Sequence, residues 1–292
     1  MKKFRKILIV LLIIFGGFYL VGCEKNEDKK QVETIVNEIF ENNNSIFISE
    51  GTDGNILFNY DALAGVNLLN KNGYKFDLTK IVSKDKVSNY LNSAVINGEG
   101  DAFKLLQLAR AYGLPIPESI KNFTRDLASV SSFYSYPMAL TLINTFNNNQ
   151  TLLTTILADI PTVHTNEWFD ADTAAFILAT STTHEVNKSG LYEVIESKIT
   201  PNGVKSWDDN PGASSTAMVI IAYTSNKVSL TYDNGTNLLH ALLNFYDNQK
   251  HGFKANAAAE DVDLMFATPQ SFAALAIYLA SLKSKKAPNL YY

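Results

Sequence analysis

Apolar residues along this chain gather into six alanine-rich blocks, separated by stretches in which they recur on one side only. The blocks run over 60–69, 101–112, 137–146, 172–180, 215–223 and 269–282, and each opens on a small, aromatic or acidic residue. Their starts lie about 35 to 55 residues apart, a period that suits one helix pair per repeat. Between them, near 32–41, 84–94, 119–129, 152–160, 191–199 and 237–247, apolar residues return at helical spacing. In the last of these, Leu238, Leu239, Leu242, Leu243 and Tyr246 share one face while His240, Asn244 and Asp247 fall elsewhere. The blocks themselves are apolar nearly all round, as helices buried on both sides require.

Start signals agree with these boundaries. Thr268-Pro269 offers a capping hydroxyl followed by proline at the first helical position, and Ser135 with Pro137 resembles it. Asp101 and Asp172 can cap their helices and favour the positive end of the helix dipole. Strand signals are sparse. The expectation is an all-α domain over 31–285, a closed (α/α)6 toroid of six inner and six outer helices, with 286–292 as a tail. An open superhelical solenoid is the alternative arrangement of the same pairs.

The N-terminus follows a different pattern. Lys2, Lys3, Arg5 and Lys6 precede an apolar stretch from Ile7 to Val21, which is short of the roughly 20 residues needed to cross a bilayer core. Basic flank and length fit a signal peptide over 1–22 rather than an uncleaved transmembrane anchor. The segment closes on Leu20-Val21-Gly22-Cys23, which resembles a bacterial lipobox, and a polar tether follows over 23–30. That resemblance implies lipidation of Cys23, cleavage before it, and an extracytoplasmic protein anchored to the bacterial cell membrane. Cys23 is the only cysteine, so no intrachain disulfide can form. Loss of the four basic residues in 1–22 takes the net charge from -4 to about -8. Such acidity, with no basic stripe, argues against a nucleic-acid partner and against docking on anionic lipid through the body of the protein.

Several local motifs carry a family resemblance. Asp170-Ala171-Asp172-Thr173-Ala174, Ser214-Ser215-Thr216-Ala217-Met218 and Ala267-Thr268-Pro269-Gln270 with Phe272-Ala273-Ala274-Leu275-Ala276 stand in order at the right spacing. Gln249-Lys250-His251-Gly252-Phe253 looks like a worn Gln/Gly/aromatic junction, and Gly203 with Trp207 occupies its place one repeat earlier. Over about 165–282 the chain resembles the terpenoid-cyclase and protein-prenyltransferase toroid superfamily, whose fold transcobalamin-type carriers share.

The departures from that superfamily bear on chemistry. Where squalene-type cyclases place the protonating acid, this chain has Ala171, whose methyl cannot protonate an alkene. Prenyltransferases hold zinc with Asp, Cys and His. Here His164, His184, His240 and His251 have no paired metal-ligand spacing and no cysteine to join them. No metal or other cofactor is therefore expected. Transcobalamin-type carriers add a β-domain for which the chain has no length. The carboxylates Asp170, Asp172, Asp208 and Asp209, with Glu260-Asp261-x-Asp263, fall in or near loops that lead to buried helices. They are read as caps and solvated loop acids, with a glycan hydrolase or lyase built on the first four as the enzyme alternative. Calcium on Asp-x-Asp lacks the spaced ligand set of a calcium loop.

Aromatic residues complete the picture. Phe58 and Tyr60, then Phe133, Tyr134 and Tyr136, then Trp168 and Phe169, then Trp207, Phe253 and Phe266 each precede a buried helix. Parallel inner helices would gather them at one end of the barrel, as staples fixing helix entry or as a ligand mouth. The expected ligand surface is Trp168, Phe169, Trp207, Tyr134, Tyr136 and Phe253. The role expected from all this is non-catalytic binding of a small amphipathic ligand or a surface glycan. A protein-interaction scaffold with a filled barrel is the other alternative, and the sequence names no protein partner.

Overall fold

The computed structural model describes residues 26–52, 55–205, 207–232 and 235–292. The expected signal peptide and Cys23 lie outside them. The protein is mainly α-helical, with twelve α-helices among the described residues and three small antiparallel sheets. The helices are α1 (26–42), α2 (Tyr60–Lys71), α3 (Lys84–Ser93), α4 (Glu99–Ala111), α5 (Glu118–Asp126) and α6 (Tyr136–Phe146). After them come α7 (Gln150–Val163), α8 (Ala171–Thr180), α9 (Ser189–Glu196), α10 (Ala213–Ser225), α11 (Leu238–Leu243) and α12 (Ala267–Lys283). α1 begins inside the segment expected to be tether, because Lys29 and Glu33 pair across one turn and Asp28 bonds to His240 of α11.

The even-numbered helices are the alanine-rich blocks. α8 and α10 bury nearly every residue and α12 buries twelve of its seventeen, as sequences without a broad polar face must. Each even-numbered helix packs on the next, from α2 through α4, α6, α8 and α10 to α12, and α12 packs back on α2. Odd-numbered helices bury one side only: α3 buries Val87 and Leu91, and α9 buries Gly190, Leu191 and Ile195. No described helix is long and apolar enough to cross a membrane.

Among the described residues, three small sheets accompany the helices of this mainly-α chain. β1 (Ile48–Glu50) pairs antiparallel with β2 (Ile56–Phe58) ahead of α2. β3 (Ile199–Thr200), β4 (Gly203–Lys205) and β5 (Pro211–Gly212) form the second sheet, and β6 (Tyr246–Asp247) pairs with β7 (Gly252–Phe253) in the third. The last two sheets join an odd-numbered helix to the next even-numbered one by the same device. The Val204 amide donates to Thr216 Oγ1 at 2.9 Å, and one repeat later the Phe253 amide donates to Thr268 Oγ1 at 2.9 Å. Glycine precedes each amide because the helix hydroxyl leaves no room: a Cβ on Gly203 would stand 2.6 Å from Thr216 Oγ1, and one on Gly252 3.0 Å from Thr268 Oγ1. Thr268 therefore serves the strand and not the helix start expected of it. Asp263 holds that start instead, its carboxylate accepting the amides of Met265, Phe266 and Ala267.

The segment after α12 is not a loose tail. Asn289 Nδ2 donates to the Ala179 carbonyl and to Thr182 Oγ1, and Leu290 is buried. Tyr291 is 1% exposed, with its ring against Phe103 and Phe176 at centroid distances of 5.7 and 5.1 Å. Its carbonyl accepts from Gln107 Nε2 at 3.3 Å and from Arg110 Nη1. Tyr292 Oη donates to the Thr180 carbonyl at 2.7 Å and accepts from Asn144 Nδ2 at 2.8 Å. Residues 289–292 thus enter past the C-terminal ends of α4, α6 and α8 and fill the space between them. Polar side chains on otherwise apolar helices find their partners there, as buried polar groups must.

Candidate functional site

At the opposite end, where α8, α10 and α12 begin, lies a cup of about 330 Å³. Asp172, Ser215 and Gln270 from the first turns of these helices line it, with Trp207, Asp208 and Phe266 from the preceding loops. Trp207 is 89% exposed and Phe266 57%, so two large apolar faces stand at the rim in water. Such exposed aromatic faces beside a polar recess are chemically able to stack on a flat partner.

Asp172 departs from its expected role. Asp170 is the N-cap of α8, accepting the Thr173 amide at 2.8 Å, and this leaves the Asp172 carboxylate free to face the cup. Ser215 Oγ donates to Asp172 Oδ2 at 3.1 Å, while Oδ1 is buried with no hydrogen-bond partner. Burial pushes its pKa up to about 6 against the Ser215 bond, and the nearby Asp170 charge adds to the rise. Gln270 Oε1 is a second buried acceptor without a donor, although the same side chain hydrogen-bonds to Asp61. Both residues line the recess, so two buried acceptors without donors lie behind its wall.

The other expected site residues divide into groups. Asp208 lines the cup and accepts the Asn210 amide in an Asx turn. Asp209 points away into an ion pair with Lys198 at 2.9 Å, which holds its carboxyl below the usual range. The structure thus brings together Asp172 and Asp208 but gives Asp170 and Asp209 separate partners. Trp168 is 75% exposed, and its carbonyl accepts the Tyr134 hydroxyl at 2.7 Å. Phe133 bridges Tyr134 and Phe169 at centroid distances of 4.3 and 5.5 Å. This cluster sits before α6 and α8 and does not line the cup with Trp207. Tyr136 is half-buried with its hydroxyl on Asp159, as a staple would be. Phe253 is fully buried against Tyr246 and has no face for a ligand.

Ser215, Gln270 and Phe266 are among the cup residues that sequence reasoning did not single out for the ligand surface. Gln270 stood inside a recognised motif, and a lone polar residue in the first turn of an apolar helix was its available signal. A larger groove of about 870 Å³ lies between β2, α3 and the start of α4. Of its four charged residues, Lys86 and Glu50 pair at 2.6 Å and Asp101 accepts the Asn97 amide, which leaves Lys104. Among the described residues no cluster of three His, Cys, Asp or Glu side chains could hold a metal ion. No family model matches the chain, and no curated protein matches its sequence.

Proposed function

We propose that the protein is an extracytoplasmic lipoprotein, anchored through Cys23, that binds a small polyhydroxylated ligand in the cup at the start of α8, α10 and α12. A sugar unit of a surface glycan has the matching chemistry: hydroxyl donors for Asp172 and Gln270, and a flat face for Trp207. The carrying observation is the pair of buried acceptors without donors beneath an exposed indole. The circuit of contacts that returns α12 to α2 supports an (α/α)6 toroid as the scaffold, with its helix N-termini around the mouth. The likeness to the cyclase and prenyltransferase superfamily is proposed on that circuit and on the motifs of the last three repeats.

The filled interior bears on ligand size. Tyr291 occupies the space a long isoprenoid or a corrin would need, so the proposal confines binding to the rim. The same filling favours, as a second reading, a scaffold for protein partners with no small ligand. A glycan hydrolase acting through Asp172 draws on its raised pKa and on Asp208 in the same cup. A thermal-shift screen of mono- and oligosaccharides separates the three, since a ligand that binds only the folded state raises its melting point. A dose-dependent rise lost in Trp207→Ala supports binding. Release of new reducing ends supports the hydrolase, and no shift with any sugar supports the scaffold.

A further inference from the structure

The end of the molecule remote from the cup carries a second recess, about 740 Å³, between the start of α1, the turn after α10, the start of α11 and the segment that follows α12. Its floor carries an apolar patch of Val228, Leu230, Leu239 and Tyr278 beside the polar Ser229, Thr231, Asn237 and Ser281, with Leu282 39% exposed at the edge. Its rim is basic. Lys227, Lys285 and Lys286 are exposed, and none has an ion pair among the described residues. Lys227 is held at the rim by a left-handed turn with φ 57°, directly after α10. Asp28 is the single acid in the lining, and its carboxylate is bonded to His240 Nε2 at 2.9 Å. Inside the recess Thr224 Oγ1 is buried without a partner.

Three unpaired ammonium groups around an apolar patch match the layered chemistry of a lipid surface with anionic headgroups. The chain path points to the same occupant. Asp28 lies five residues after Cys23, and five extended residues span at most about 18 Å. A lipid on Cys23 would therefore bring this recess, rather than the cup, to the bilayer. We propose that the recess rests on an anionic membrane surface, so that the protein stands with its cup pointing away from the membrane. The orientation rests on the anchor reading under Proposed function, whereas the recess has its own charge and floor. Sequence composition gave no sign of it, because Lys227 is nearly sixty residues from Lys285 and the chain as a whole is acidic.

The full chain, expressed with its leader and recovered from membranes, is placed in vesicles of phosphatidylcholine alone or with phosphatidylglycerol. A bimane on Leu282→Cys reports the recess, and the native Trp168 and Trp207 report the cup end. Lipids brominated on their acyl chains should quench the bimane at least threefold more in the anionic vesicles and leave tryptophan emission unchanged. Charge reversal of Lys227, Lys285 and Lys286 to Glu should abolish that difference. Equal quenching in the two vesicle types, quenching of tryptophan instead, or full quenching after charge reversal would overturn the proposal. Mass analysis of the peptide carrying Cys23 reads the anchor separately. If that cysteine carries no lipid, co-sedimentation with the two vesicle types still tests the recess, and equal sedimentation overturns it.

Discussion

The Tyr291 hydroxyl donates to Asp61 Oδ1 at 2.8 Å, joining the segment after α12 to the first turn of α2 through the middle of the molecule. Both residues are buried, and among the described residues Asp61 has hydrogen bonds from Tyr291 and Gln270 but no cation beside it. Burial outweighs those bonds and pushes the Asp61 pKa up to about 7. Gln270 also lines the cup, so the interior plug and the candidate site share one side chain.

Removing the Tyr291 hydroxyl should expose how much this pair contributes. Tyr291→Phe keeps the ring and deletes a donor to a buried carboxyl, at an expected cost of about 1 to 3 kcal/mol in chemical denaturation. Tyr291→Ala also empties the space beside Phe103 and Phe176 and should cost about 3 to 5 kcal/mol. A Phe variant as stable as the parent would mean the bond contributes nothing net.

The Asp61 shift sets a pH dependence with an unusual sign. Between about pH 4 and 7 the native state holds a proton that the unfolded chain has released, so this group's stabilisation falls as pH rises and levels off above about 7. Asp172 acts in the same direction, with its window closing near pH 6. The stability of Asp61→Asn relative to the parent should therefore improve by up to a few kcal/mol from pH 4 to 7. Denaturation curves at four pH values measure this, and a pH-independent difference would show that Asp61 titrates normally.

The repeat junction predicts a steric and a polar defect. Gly203 has φ 118° and no room for a Cβ, so Gly203→Ala should destabilise by about 1 to 3 kcal/mol. Thr216→Val should cost a similar amount, roughly 1 to 3 kcal/mol, because the buried Val204 amide loses its acceptor. Thermal unfolding of both variants reads these losses, and wild-type melting in either would remove the junction from the account.

The anchor has its own test. If a lipid on Cys23 is the anchor, Cys23→Ser should abolish lipid labelling and shift the protein out of the stably bound membrane fraction. Unchanged labelling in the variant would contradict the lipobox reading.

Much of the helical plan was legible in the sequence, because its cues are local. An alanine-rich block such as 215–223 can bury itself only as a helix packed on all sides, and α10 covers it within two residues at each end. The sheets were not legible, since strands of two residues such as Gly252–Phe253 show no alternation to read. Asp172 stands near a helix start and reads as a cap, but Asp170 competes for the same amides and takes the Thr173 N–H. At the rim, Trp207 was legible, whereas Phe253 was not: one residue after a glycine its ring turns inward under the strand. The plug was missed because Pro288-Asn289-Leu290-Tyr291-Tyr292 has no period, and its polar partners Gln107, Arg110 and Asn144 are dispersed along two helices.

Whether the cup holds a sugar is read by calorimetric titration of the one that gives the largest thermal shift, with parent, Trp207→Ala and Asp172→Ala proteins compared at one pH. Loss of a stacked indole should weaken binding by about 1 to 3 kcal/mol, or roughly fivefold to 150-fold in Kd. Loss of the orphaned acceptor should weaken it by about 1 to 3 kcal/mol as well. Folded variants that both bind this sugar with the parent's affinity would place the ligand elsewhere and leave the cup without a function.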